Sequence, residues 1–240
     1  MSKLKQTLII ILCLAVIAAG IYTLANPDIF IRYREDIDFT YTEEDGSLIL
    51  TKYNGNAENL IIPSEIDEKP VRAVRGAFCN NLTLENVIVS EGIEEIDYMA
   101  FYGCASLVKI KLPDSVKTIG HAAFLGCMAL ERVETGSSLT EIMPFAFSDC
   151  IFLKRIALPD GLLFIGESAF SRCKRLEKLT IPESVEVIGG VTEKKGKNVS
   201  DQRGELLHTV FDGCDSLEIK IADNNPWYKI ENGAIASKGN

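Results

Sequence analysis

Seven cysteines are the residues with the greatest capacity for chemistry in this sequence. Thiolates can ligate metals, but metal ligands must converge on one point, and cysteine ligands commonly come in pairs about two to four residues apart. Four of these cysteines instead recur at intervals of 23 residues: Cys104, Cys127, Cys150 and Cys173. Side chains in such a column would be nearly parallel, which suits a disulfide poorly. The spacing therefore predicts buried, reduced thiols and no metal site, with Cys79, which is out of register, as an exposed thiol.

Other residues suited to catalysis are sparse. The two histidines, His121 and His208, have no serine or cysteine motif beside them. The sequence also shows no glycine loop for phosphate and no metal-type group of carboxylates. Both histidines are expected at the solvated surface, and the sequence indicates a protein that is not an enzyme and holds no cofactor.

The overall charge excludes one class of partner. The formal net charge is −9, and the pI is near 4.9. Because nucleic acids are bound through an excess of Lys and Arg, an acidic chain of this kind is not expected to bind them.

The cysteine interval belongs to a repeat that runs through most of the sequence. A phenylalanine preceded by alanine recurs every 23 residues, at Phe78, Phe101, Phe124, Phe147 and Phe170. Six residues after each comes a leucine, at Leu84, Leu107, Leu130, Leu153 and Leu176. Nine residues after each comes an aliphatic side chain, at Val87, Ile110, Val133, Ile156 and Leu179. Phe211, Cys214 and Leu217 repeat the first spacings, so the chain is predicted to be a stack of about six similar units.

Each unit contains signals for short elements. Residues 107–113 alternate apolar and polar side chains as a half-buried strand does, and residues 113–115 predict a turn. Val116 and Ile119 begin a second extended piece, and residues 121–127 predict a single helical turn. Since so short a unit buries its apolar face only against its neighbours, the predicted fold is an α/β repeat solenoid.

The unit resembles the BspA-type (Treponema pallidum-type) leucine-rich repeat, whose pattern is close to LxxIxLPxxVxxIGxxAFxxC, over residues of about 73 to 221. The resemblance implies a right-handed leucine-rich-repeat stack on a bacterial surface protein, with adhesion or host and matrix contact as the expected role. Residues 26–72 resemble the family's linker and N-terminal capping strands, including a hairpin around residues 54–56. The NNPWY sequence within residues 222–240 resembles its C-terminal cap.

The N-terminus predicts export. Residues 7–25 carry no charge and follow Lys3 and Lys5. This length is enough for a membrane-spanning helix, whereas Ala25 ends a tolerable signal-peptidase site, so both a membrane anchor and a cleaved signal sequence remain open for residues 1–25. With the lysines held inside, the rest of the chain is expected outside the cytoplasm.

One unit is interrupted by 18 extra polar residues, 189–206, which predict a solvated loop. A tolerated insertion and a dedicated contact element, with the cluster Lys194, Lys195 and Lys197, are both consistent with its composition.

Two surfaces are candidates for partner binding. The first, here named the basic ridge, comprises outward strand residues eight positions after each phenylalanine: Lys109, Arg132, Arg155 and Lys178. It could bind an anionic glycan or an acidic protein segment, or it could be neutralised by Glu131, Glu134 and Glu177.

The second surface, here named the apolar patch, comprises residues that replace polar ones of other repeats: Ile151, Phe152, Leu163 and Phe164. Grouped exposed apolar side chains mark contact sites, although the insertion or a neighbouring segment could cover these. The sequence thus predicts a binding or adhesion module for a protein or glycan partner, and the alternative is a structural spacer at the cell envelope.

Overall fold

The computed structural model describes residues 39–190, 207–231 and 234–238. These residues form strands, turns and one short helix, Leu207–Val210 (α1). The strands are β1 (Phe39–Glu44), β2 (Ser47–Tyr53), β3 (Asn59–Ile62), β4 (Glu65–Ile66), β5 (Lys69–Val74), β6 (Asn86–Val89), β7 (Glu95–Ile96), β8 (Lys109–Lys111), β9 (Thr118–Ile119), β10 (Arg132–Glu134), β11 (Glu141–Ile142), β12 (Arg155–Ile156), β13 (Phe164–Gly166), β14 (Lys178–Ile181), β15 (Val187–Gly190), β16 (Glu218–Ile221), β17 (Tyr228–Glu231) and β18 (Ala234–Ser237). The predicted anchor or signal helix within residues 1–25 and residues 191–206 of the insertion lie outside the described residues.

Consecutive strands of the repeats alternate between two parallel sheets. One sheet has the order β1-β2-β5-β7-β9-β11-β13-β15, with β4 paired to β5, and the other has the order β12-β10-β8-β6-β3. In the second sheet Lys109 pairs with Arg132 and Ile110 with Val133, residues one repeat apart. Each coil of chain therefore places the same position directly over its counterpart, and the described fold is a β-solenoid.

The α/β description is wrong for the described repeats, because the predicted helical turns are tight turns. Ala122 has a φ of 55° and Gly126 a φ of 76°, values that a right-handed helix does not contain. The left-handed conformation of Ala122 recurs one or two repeats away at Met99, Phe145 and Ser168. The turns are held between coils, since the amide of Phe101 donates to the carbonyl of Ala123 at 2.7 Å. Bonds between coils, rather than a helix, satisfy the backbone there.

The phenylalanines form the centre of the interior. Successive rings are stacked almost parallel from Phe78 through Phe170, with centroid separations of 4.7, 5.2, 5.1 and 5.5 Å, and Phe211 follows at 5.8 Å. Phe78, Phe101, Phe124, Phe147 and Phe170 are essentially inaccessible to solvent. Each ring thus packs on the ring of the next coil, and the stack buries what a single unit could not.

The cysteine column serves this interior. Cys104, Cys127, Cys150 and Cys173 are buried and free, and Cys79 is exposed, which confirms the predicted burial of this column. Each buried thiol donates to the carbonyl of the phenylalanine 26 residues earlier, for example Cys127 Sγ to Phe101 O at 3.0 Å. Burial raises the pKa of the Cys127 and Cys150 thiols, so they stay protonated and remain donors.

The N-terminal end is closed by a hairpin that was predicted in the wrong place. It joins β1 to β2 through Asp45 and Gly46, whereas residues 54–56 connect strands of different sheets. Tyr53 packs its ring 5.2 Å from that of Phe78 and ends the phenylalanine stack. Gly55 lies against this ring, where a Cβ atom would come within 2.4 Å of it. The glycine is therefore required by close approach to an aromatic cap, not by a turn of a hairpin.

The C-terminal end is closed by a polar plug on the last coil. The Asn225 side chain is fully buried, donating to the carbonyls of Pro182 and Val185 and accepting from the amides of Trp227 and Tyr228. The Tyr228 hydroxyl accepts from the amide of Ile188 at 3.0 Å and donates to the carbonyl of Glu186 at 3.2 Å. These bonds satisfy backbone groups of β15 at the end of its sheet.

Candidate partner-binding site

The structure brings three residues of the basic ridge together. Lys109, Arg132 and Arg155 lie side by side on β8, β10 and β12, because parallel pairing keeps positions one repeat apart in register. Asn86 continues the row on β6. Lys178 lies on β14, which pairs with β16 in a separate two-stranded sheet, so it faces the row across a break in the sheet.

The ridge keeps an excess of positive charge. Glu134 lies 3.0 Å from Lys109 and 3.8 Å from Arg132, and one carboxylate thus serves two cations. Arg155 forms no ion pair with any residue that the structure describes. Glu131, predicted as a neutralising partner, pairs instead with Lys154 at 2.8 Å, which lowers the pKa of its carboxyl group. The ion-pair ladder considered from the sequence is therefore only partly formed.

A groove of about 1140 Å³ lies beside the ridge at the break between β12 and β14. Its walls include Arg155 and Lys178, its apolar lining includes Leu158 and Pro182, and carboxylates border it at Asp160, Glu177 and Glu183. This groove was not predicted from the sequence. The signal that indicates it is Ala157, a small side chain at a position where the preceding repeats carry Lys111 and Glu134.

The apolar patch does not form as predicted. Phe164 is only 6% exposed, so its assignment to an exposed patch is wrong. Its in-register neighbours on β11 and β15, Glu141 and Val187, flank it on both sides. Phe152 and Leu163 are exposed, but they precede β12 and β13, which belong to different sheets, and Ile151 is half-buried. Phe152 also has the Arg175 guanidinium 4.2 Å from its ring centroid, a cation–π contact.

The groups suited to chemistry stay apart. Over residues 39–190, 207–231 and 234–238 no cluster of His, Cys, Asp and Glu is placed to hold a metal ion. His121 is exposed and lies against two aromatic rings, 5.8 Å from Tyr98 and 5.6 Å from Phe145, while the side chain of His208 lies outside the described set. In the part of the chain that the structure describes, no helix is long and apolar enough to cross a membrane.

Comparisons with known proteins agree with this architecture. The BspA type leucine rich repeat region matches residues 74–192 in six copies. A leucine rich repeat protein of T. pallidum is 30% identical with a TM-score of 0.53, and the match covers 77% of this chain and 79% of that one. A leucine-rich repeat protein of Bacteroides ovatus is 26% identical with a TM-score of 0.53, covering 80% of this chain and 41% of that one.

A leucine rich cell surface protein of Faecalibacterium prausnitzii shares the fold at 24% identity and a TM-score of 0.56, covering 88% of this chain and 59% of that one. The chain thus spans most of the treponemal protein but only part of the other two. None of the curated proteins matches its sequence. The stacked phenylalanine and cysteine columns, the in-register parallel sheets and the treponemal relative together show that the chain belongs to the BspA-type leucine-rich-repeat family.

Proposed function

We propose that this protein is an extracytoplasmic binding module that holds an extended segment of a protein partner along the basic ridge. Proteins of the leucine-rich-repeat family generally bind protein partners. The observation that carries the proposal is the row of Lys109, Arg132 and Arg155 that shares one carboxylate and ends at a groove. Residues 1–25 would anchor the module in the membrane, or be removed on secretion.

The charges define the partner. Acidic side chains of the partner would lie over Lys109, Arg132 and Arg155, where positive charge is in excess. The groove itself is bordered by Asp160, Glu177 and Glu183, which disfavour a further acidic residue. An apolar side chain on Leu158 and Pro182 would fill it instead. The expected motif is therefore an acidic stretch followed or preceded by an apolar anchor.

Charge reversal tests this proposal. The full-length protein would be immobilised and used to capture proteins from envelope and host-matrix extracts, with identification by mass spectrometry. We expect the double variant Arg132→Glu with Arg155→Glu to lose at least about tenfold of the affinity for the captured partner, because complementary charges become repulsive. Raising the salt concentration should weaken the wild-type interaction in the same direction.

A matched control separates the site from net charge. Lys52→Glu with Lys174→Glu makes the same change in charge at two exposed positions off the ridge, and it should leave capture unchanged. Equal loss in both double variants would overturn the ridge as the site. Survival of binding in the ridge variant, with loss in Phe152→Ser, would move the site to that exposed ring. No specific capture from any extract would favour the structural spacer.

A further inference from the structure

A second concave site lies in the turns between the sheets, apart from the basic ridge. It is a pocket of about 560 Å³, within the size range of small-molecule sites. Its lining residues come from the turns of three successive coils and α1: Leu125, Phe145, Ser148, Asp149, Ser168, Ser171, Arg172, Thr209 and Asp212. Neither the ridge nor the groove beside it shares a residue with this pocket.

Three serine hydroxyls line this pocket. Ser148 and Ser171 are 2% and 7% exposed, so they lie deep, while Ser168 is half-buried. Within the described ranges none of the three hydroxyls takes part in a side-chain hydrogen bond. Each can both donate and accept, so together they offer a set of unused partners for a ligand rich in hydroxyl groups.

A fixed charged pair stands beside the serines. The Arg172 guanidinium donates two hydrogen bonds, from Nε and Nη2, to the two oxygens of Asp149. This bidentate contact holds both planes in place and leaves further N–H donors and carboxylate lone pairs for a ligand. Asp212 adds a second carboxylate to the lining. With two carboxylates and one guanidinium, the pocket carries a net charge that opposes an anionic ligand.

An aromatic run leads away from the pocket. Phe145 forms one wall, the His121 ring lies 5.6 Å from it, and the Tyr98 ring lies 5.8 Å beyond His121. Tyr98 is 49% exposed, a large fraction for so big a ring. The run crosses three coils along the surface, because these rings stand at neighbouring positions of successive repeats.

We infer that this surface binds a neutral oligosaccharide, with one sugar residue in the serine-lined pocket and the following residues on the aromatic run. A pyranose ring presents hydroxyls around its edge and a C–H face that packs on aromatic rings, and the lining supplies partners for both. Uncharged sugars are favoured over acidic ones by Asp149 and Asp212. The site is independent of the proposed protein partner, since it uses other residues.

The test uses the full-length protein on an array of neutral and acidic oligosaccharides, followed by calorimetry with the best neutral ligand and its monosaccharide. We expect Arg172→Gln to weaken both ligands at least about tenfold, because it removes the charge of the fixed pair. Tyr98→Ala should weaken the oligosaccharide about fivefold and leave the monosaccharide unchanged, since only the longer ligand reaches Tyr98. Tyr41→Ala, which removes another exposed tyrosine ring, is the matched control and should change neither affinity.

Three outcomes would overturn this inference: no binding of any neutral saccharide, preference for acidic ones, or affinities that Arg172→Gln and Tyr98→Ala leave unchanged. Thermal melting of each variant shows whether it is folded, and Tyr98→Ala, at an exposed position, keeps the test valid if Arg172→Gln does not fold. The ridge variant with Arg132→Glu and Arg155→Glu should retain saccharide binding. Failure of the protein-binding proposal is thereby distinguishable from failure of this one.

Discussion

Replacement of Asn225 by alanine is expected to lower the free energy of unfolding by about 3–5 kcal/mol. The side chain is fully buried, and its amide and carbonyl groups bond backbone atoms on both sides of the cap. Alanine would leave several of those backbone groups buried without partners, each at a cost of about 1–3 kcal/mol. Denaturant titration followed by circular dichroism measures the change.

The neighbouring asparagine provides the control. Asn224 is exposed, and Asn224→Ala should change stability by less than about 0.5 kcal/mol. Hydrogen exchange should also report the location of the effect, with Asn225→Ala accelerating exchange at Ile188, whose amide depends on Tyr228 in the same cap. If both variants were equally stable, the polar plug would not be what closes this end.

Phe124→Ala is expected to lower the free energy of unfolding by a similar amount, about 4–5 kcal/mol. The Phe124 ring is fully buried between Phe101 and Phe147, at centroid distances of 5.2 and 5.1 Å. Its removal leaves a cavity and breaks two ring contacts at once, and each such contact contributes about 0.5–1.5 kcal/mol beyond burial. Because coils touch only their neighbours, the loss should also weaken coupling between the two halves of the stack.

Denaturant titration again gives the magnitude, and the shape of the transition shows the coupling. We expect the Phe124→Ala transition to broaden or to split in two. Phe152→Ala removes a ring of the same kind from an exposed position and should cost about 1 kcal/mol, mainly through its contact with Arg175. A small effect of Phe124→Ala, with a sharp single transition, would show that the ring stack does not hold the coils together.

The interior of this protein could be predicted from its sequence because one interval fixes it. Phe101, Phe124 and Phe147 occur at the same spacing as Cys104 and Cys127, and only a stack of equal coils keeps both columns buried. The outward register of Lys109, Arg132 and Arg155 follows from the same spacing, since in-register parallel strands place positions one repeat apart side by side.

Features that depend on backbone torsion or on neighbouring coils could not be predicted in this way. The turn at Ala122 has helical spacing of its apolar residues, but the positive φ that bends it is not visible in the residue type. The burial of Phe164 depends on its neighbours across the sheet, Glu141 and Val187, and the groove depends on a break between β12 and β14. A pattern along one strand reports none of these.

The serine-lined pocket was outside the reach of spacing for a related reason. Ser148 and Ser171 occupy one column, but Asp149, Arg172 and Asp212 come from a column that contains glycine at Gly103 and Gly126. Their side chains occur only where three particular coils meet. The repeat builds a uniform interior, whereas recognition depends on the departures from it at the surface.

The central claim is that coils of equal length stack in register, and deletion of one coil tests it most directly. Removing residues 105–127 takes out one repeat of 23 residues and joins Cys104 to Met128, whereas removing 105–126 takes out one residue fewer. Thermal melting followed by circular dichroism should show a folded β-rich protein with a cooperative, lower transition for the full-repeat deletion, and no cooperative transition for the shorter one. Equal behaviour of the two deletions, whether both folded or both unfolded, would contradict the stack.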